Sequence, residues 1–262
     1  MKNTFKNIIA VLAIAVLCNA CNNDDSAITN ISGTGNLGVE FDNSFGANDL
    51  ILNAANTPTS NNEVLKVTKI KYIISNIVLY NQYGVSFAYP KSQSYFIVDE
   101  ADEATHVLEL TGIPAGNYTK IKFGIGVDQP QYALGESNQG DFYATAQHAG
   151  MISDWASGYR FLSFEGQFTS PSVTTATSFT VHTARTDADY NYKEVTLDLP
   201  SQALVRTTIT PEIHIVADLS KIIDGTNKMR LSDNSNITSG ANMSLVAANS
   251  TSMFTVAHVH ND

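Results

Sequence analysis

The sequence predicts an all-β domain. Short apolar alternations of period two recur from Leu37 onward, clusters of Gly, Pro, Asn and Asp separate them, and apolar residues at helical spacing are rare. The clearest strand spans 69–74, where Ile70, Tyr72 and Ile74 face one way and Lys69 and Lys71 the other, as a half-buried strand requires. The same reading predicts strands at 37–41, 95–98, 106–110, 118–127, 159–165, 178–182, 194–199, 212–217 and 253–260. Ile113-Pro114-Ala115-Gly116-Asn117 supplies Pro and Gly in the order of a tight reversal. One short C-terminal helix is expected on the surface over 241–249, capped by Ser239. The stretches 42–63 and 128–157 are too irregular for strands and read as long loops, which in compact domains commonly carry function. Residues 224–236 read as a solvated connection, since their acidic spacing does not match a calcium loop.

The N-terminus carries Lys2 and Lys6, an apolar run over 8–17, and then Cys18-Asn19-Ala20-Cys21. That is the pattern of a signal peptide, and the run is far short of the roughly 20 residues that span a bilayer. Small Ala20 precedes Cys21, whereas bulky Leu17 precedes Cys18, so Cys21 is the expected lipidation site; the segment resembles a bacterial lipoprotein processing site. The expected organisation is a signal peptide over 1–20, a lipidated tether over 21–36 whose small polar composition is that of a flexible linker, and a single domain over 37–262. Such a chain is anchored to a membrane by its lipid rather than spanning it, and the expected location is the cell envelope, at the outer membrane. The processed chain would keep Cys21 alone, so no internal disulfide is available. A formal charge of −10 with no basic cluster excludes nucleic acid as a natural partner and favours cations.

No nucleophile elbow, phosphate-cradling loop, paired zinc-ligand cysteines or His-Glu-x-x-His is present, so the chain does not read as an enzyme. Six histidines and one tryptophan remain. His106 shares a strand face with Leu108 and Leu110 and reads as structural; His214 alternates with Ile213 and Ile215 and looks away from their face. His258 and His260, two apart on a predicted strand, project from one face together with Phe254 and Val256; such a pair can chelate a metal, and a fraying terminal strand is the alternative. His148 and His182 carry no signal by position alone.

Several segments in register resemble the MbnP-like copper-binding family of bacterial periplasms. Tyr72-Ile73-Ile74-Ser75-Asn76 is similar to its Tyr-x-x-Ser-Asn strand, and Ile113–Tyr118 with Gly124-Ile125-Gly126-Val127-Asp128 resembles the turn and strand that follow. Trp155-Ala156-Ser157-Gly158-Tyr159 and then Phe164-Glu165-Gly166 resemble its Trp-centred signature, and His182 stands where a family histidine stands. The resemblance covers about 37–218. It implies an antiparallel β-sandwich holding one copper per chain through histidine imidazoles and a kynurenine made from tryptophan. In that family a dihaem peroxidase-like partner performs the oxidation, so the resemblance implies such a partner for this chain. On this chain Trp155 takes the place of the modified residue and His182 that of one ligand, with His148, His258 and His260 as candidates for the second imidazole. Many relatives carry another tryptophan two residues earlier, where this chain has Ser153. The expected function is copper acquisition, storage or delivery. The alternative is a metal-free structural or glycan-binding surface sandwich using aromatic residues such as Tyr132, Tyr143, Tyr190 and Tyr192.

Overall fold

The computed structural model describes residues 31–186 and 189–262. The expected signal peptide, Cys21 and most of the expected tether lie outside the described residues. In chain order the strands are β1 (Thr34–Phe45), β2 (Asn48–Asp49), β3 (Val64–Asn81), β4 (Ser86–Ala88), β5 (Tyr95–Asp99), β6 (Val107–Pro114) and β7 (Gly116–Ile125). They continue as β8 (Arg160–Thr169), β9 (Thr177–Ala184), β10 (Lys193–Val205), β11 (Pro211–Asp218), β12 (Asn236–Ile237) and β13 (Phe254–Asn261). Each predicted strand is present with shifted ends, whereas β2, β4 and β12 are too short to carry an alternation.

The strands form two sheets. One runs β13-β11-β1-β2, with β6 also on β1; the other runs β10-β7-β3-β8-β9-β12, with β4 and β5 also on β3. The sandwich departs from pure antiparallel order at the short β9–β12 pair and, more extensively, where β1 pairs with β11, both in parallel. No hairpin joins β1 to β11, since the chain reaches β11 from β10 in the other sheet, and only a direct tight turn imposes antiparallel pairing. The fold also begins inside the expected tether: Thr34 and Gly35 already pair with Pro114 and Ile113. Gly35 is there for proximity, because a Cβ on it would lie 2.1 Å from the carbonyl oxygen of Arg206.

The main core lies between the sheets. Leu37, Val39 and Phe41 of β1 and Ile213 and Ile215 of β11 meet Ile70, Tyr72 and Ile74 of β3, with Phe123 and Phe164, all fully buried. Phe41 sets the contact, its ring edge-on to Tyr72, Phe123 and Phe254 at 6.1, 5.6 and 5.8 Å between centroids. Each such side chain contributes on the order of 1.5–3 kcal/mol by burial. The polar end of Tyr72 is satisfied, donating to Asn43 Oδ1 at 2.9 Å, while Asn43 donates to Glu100 at 2.9 Å.

A second, smaller core lies on the other face of β3. Beyond Lys69 and Lys71, Ile73 points away from the main core and is nonetheless fully buried, with Val127, Ala146, Met151, Ile152, Tyr159 and Phe161. The irregular stretch predicted over 128–157 folds back over this face through helices α1 (Gln129–Tyr132) and α2 (Asp141–His148). The Ser75-Asn76 step launches the arrangement. Register shifts between Ser75 and Val78, Asn76 takes a φ of 51°, and its amide donates to Asp128 and to the Tyr192 hydroxyl, both at 2.9 Å. Ser75 donates to the carbonyl of Gly126 at 2.6 Å. Asp128 in turn accepts from Lys91, Tyr95 and the backbone of Gln131 at the start of α1; burial opposes its ionisation, yet these donors hold it below the usual carboxylate range.

Two further helices follow, α3 (Lys221–Asp224) and α4 (Gly240–Ser250). The predicted C-terminal helix is α4, but it is not a surface helix: Met243, Val246, Ala247, Asn249 and Ser250 are buried. Ser239 stands at its N-cap without a side-chain capping bond. The predicted loop 42–63 is shorter than expected, since β1 continues to Phe45.

Candidate functional site

Trp155 sits between α2 and β8 in a tight turn. Asp154 accepts from the backbone and hydroxyl of Ser157, both at 2.8 Å, which together hold its carboxyl below the usual range, and Gly158 closes the turn with a φ of 73°. The indole is half-buried. It stacks on Tyr132 with centroids 4.4 Å apart and planes 18° from parallel, and meets Tyr143 and Tyr159 edge-on at 6.0 and 6.1 Å. The guanidinium of Arg185 lies 4.8 Å from the Tyr132 ring centre and hydrogen-bonds the carbonyl of Ala156. Tyr132, Tyr143 and Tyr159, separate in sequence, are therefore gathered around Trp155. The Tyr132 hydroxyl donates to the Trp155 carbonyl and that of Tyr190, whose ring meets Tyr132, to the Val127 carbonyl, each at 2.8 Å.

His182 projects from β9 away from the main core, on the side opposite buried Phe179 and Val181. Its Nε2 lies 2.9 Å from Glu165 Oε1 on the neighbouring strand. Glu165 also accepts from Lys69 at 3.0 Å and Ser163 at 2.8 Å. Burial works against the carboxylate, but hydrogen bonds from His182, Lys69 and Ser163 together hold its pKa at about 2. Burial pushes His182 below the ordinary histidine value, with Glu165 opposing. The imidazole is thus neutral at neutral pH. A carboxylate only accepts, so Nε2 carries the hydrogen and Nδ1 keeps the lone pair. The ring lines an open cleft of about 460 Å³ together with Ser153, Ser157 and Gly158, which bracket Trp155. No other histidine lines that cleft among the described residues.

The remaining histidines lie elsewhere. His148 is the last residue of α2 and is exposed. His106 precedes β6, half-buried, with Nε2 3.1 Å from the Asp99 carbonyl, a structural role as expected. His258 and His260 do not share a face with Phe254 and Val256. Ile215 pairs with Val256 but His214 pairs with His258, so Ala257 is an extra residue and the alternation inverts there. Val259 packs on the core, and both imidazoles turn outward. They meet His214, which does look away from Ile213 and Ile215 as expected, but not into isolation. The three ring centroids are 4.3, 4.6 and 5.0 Å apart. Glu40 and Glu212 flank His214, the first at Nδ1 and the second with Oε1 2.9 Å from Nε2. Neither glutamate nor His214 was singled out by local sequence. The available signal was Glu212-Ile213-His214 repeating the spacing of His258-Val259-His260.

The model of the MbnP family matches residues 34–244. The chain belongs to the MbnP family. A solved structure, MbnP from Methylosinus trichosporium, is similar with a TM-score of 0.47 and 13% identity, covering 79% of this chain and 82% of that one. A comparison with curated proteins finds no match. Within the matched MbnP segment lie Trp155, Glu165, His148 and His182, as well as Glu40, Glu212 and His214, while His258 and His260 fall beyond it.

Proposed function

We propose that this MbnP-family chain is an envelope-anchored copper-binding lipoprotein serving copper acquisition, storage or delivery, with its lipid on Cys21. One copper would be held by His182 and by a kynurenine derived from Trp155. The observation that carries this reading is the Glu165–His182 pair. A metal-binding histidine typically donates its second ring N–H to a carboxylate, which fixes the tautomer and raises ligand basicity. His182 already has that arrangement, with Nδ1 left as the ligand atom. Copper accepts imidazole readily and supplies redox and transfer chemistry when bound.

Trp155 fits only after modification, since an intact indole offers an N–H and no lone pair. Oxidative cleavage of the indole C2–C3 bond by two equivalents of peroxide, each reduced to water, followed by hydrolysis of the resulting N-formyl group to formate, would leave an aryl amine and a ketone as donors. The oxidising equivalents would come from peroxide through a dihaem peroxidase-like partner, so the chain is that partner's substrate. Tyr132 and Arg185 fix the Trp155 turn beside the cleft that His182 lines, which would hold the new donors near Nδ1.

The test is metal content and peptide mass of protein purified from its native host. One copper per chain together with an oxygenated, ring-opened residue at 155 is expected. An unmodified Trp155 in copper-loaded protein would eliminate the kynurenine.

A further inference from the structure

We propose that His214, His258 and His260 bind a late first-row divalent ion, Cu(II) most tightly and Zn(II) next, at a site separate from the Trp155–His182 cleft. The register of three neighbouring strands places the groups in a block on the outer face of the five-stranded sheet. Glu40, His214 and His258 lie abreast on β1, β11 and β13, and Gly38, Glu212 and His260 form the adjoining row. Gly38 matters by what it lacks: a Cβ there would come within 3.0 Å of Glu212 Oε2 and press on the carboxylate. One ligand nitrogen from each imidazole lies within 4.8 Å of the other two, and exposed His258 and His260 have room to close the remaining distance.

His214 gives the site its direction. The Glu40 carboxylate lies against Nδ1 in an ion-pair contact, which favours the ring hydrogen on Nδ1 and the lone pair on Nε2. That atom is buried and has no hydrogen-bond partner, although Glu212 Oε1 lies 2.9 Å away, out of line for a hydrogen bond. A carboxylate facing an imidazole lone pair is repulsive unless a cation lies between them. Two donors bound at about 2.0–2.2 Å and at right angles on one ion, as in a tetragonal Cu(II) site, sit about 3 Å apart, close to the 2.9 Å found. A proton on His214 could also relieve the repulsion, but it would give His258 and His260 no role beside it. Imidazole selects copper, zinc and nickel over calcium and magnesium, and among divalent ions copper binds most strongly. None of the three imidazoles lines the cleft beside Trp155 and His182, so the site does not depend on the Trp155 chemistry.

The test titrates Zn(II) alone, and Cu(II) alone, into chelator-stripped protein as wild type, W155F/H182A and H258A/H260A. W155F/H182A is expected to keep one Zn(II) per chain and a Cu(II) spectrum with nitrogen splitting. H258A/H260A is expected to lose at least about 100-fold in Zn(II) affinity and that spectrum, with its melting temperature unchanged. Should the double variant unfold, H260Q alone at an exposed position serves the same comparison. Equal Zn(II) binding by H258A/H260A and wild type, or none by W155F/H182A, overturns the proposal. Failure of the kynurenine reading leaves both outcomes unaffected.

Discussion

Tyr132 and Trp155 hold each other twice, through rings stacked 4.4 Å apart and through a hydrogen bond of 2.8 Å from the Tyr132 hydroxyl to the Trp155 carbonyl. Tyr132 stands in α1 and Trp155 beyond α2, so the contact fastens both ends of the covering layer. Tyr132→Phe loses the hydrogen bond alone and is expected to cost about 1 kcal/mol. Tyr132→Ala loses the stack as well and is expected to cost about 2–4 kcal/mol, less than full truncation of a core aromatic because the ring is only half-buried. Urea unfolding of both variants measures the difference, and equal costs would mean that the stack contributes nothing.

Trp155→Phe preserves an apolar ring in the same turn, so the destabilisation should stay below the roughly 3–5 kcal/mol of an aromatic-to-Ala change. Copper at the cleft should nonetheless fall sharply in protein from the native host. As the only tryptophan, Trp155 also makes loss of indole fluorescence a direct readout of ring opening. Full copper retention by the variant would remove this residue from the site.

Glu165→Gln should weaken copper by about 10-fold, because the amide holds His182 less firmly than the carboxylate does. It should also change acid stability. The Glu165 carboxyl is held at about 2 in the fold against 4.5 for the free group, so as pH falls the unfolded chain takes up the proton first. Its stabilising contribution is complete above about 4.5 and is lost toward 2. His182, lowered from 6.5, adds a contribution that is likewise lost as pH falls below that value. Denaturant midpoints across this range should fall less steeply in the variant, and identical slopes would contradict the linkage.

Gly126→Ala should be among the most damaging single changes. Its φ of 104° disfavours a side chain, and a Cβ would lie 2.4 Å from the Phe161 ring beneath the covering layer. A loss of about 2–4 kcal/mol is expected. A melting temperature within a degree or so of wild type would refute the close approach.

Cys21→Ser should release the protein from the membrane fraction with its melting temperature unchanged. Cys21 lies outside the described residues, and the compact unit that carries the sandwich spans Ile31–Asp262. Retention in membranes after a carbonate wash would argue against the lipid anchor.

Strand positions were legible because burial on one face writes itself into sequence as alternation, as at Ile70, Tyr72 and Ile74. Ile73 shows the limit: an apolar residue on the supposedly solvated face was the one sign that something covers it. The outward turn of His258 and His260 was illegible, since a bulge inserts one residue without any special composition, and Ala257 looks like any strand residue. Pairing of Glu40 with His214 joins residues distant in sequence through parallel register, which no local pattern encodes. Trp155 and His182 were found by resemblance; Glu165, quoted in the same signature, was passed over because a lone carboxylate on a strand carries no signal until its neighbours are known.

The layer carrying Trp155 has its own small core on the far side of β3, apart from the one between the sheets. Opening it exposes Ile73 and Phe161 but leaves the contact of Phe41 with Tyr72 and Phe123 intact, so its unfolding is a local event cheaper than global melting. The indole can therefore be uncovered by lifting one leaf of the protein while the sandwich stays shut, and backbone amides of α1 and α2 should exchange with solvent through that motion long before those of β3 do.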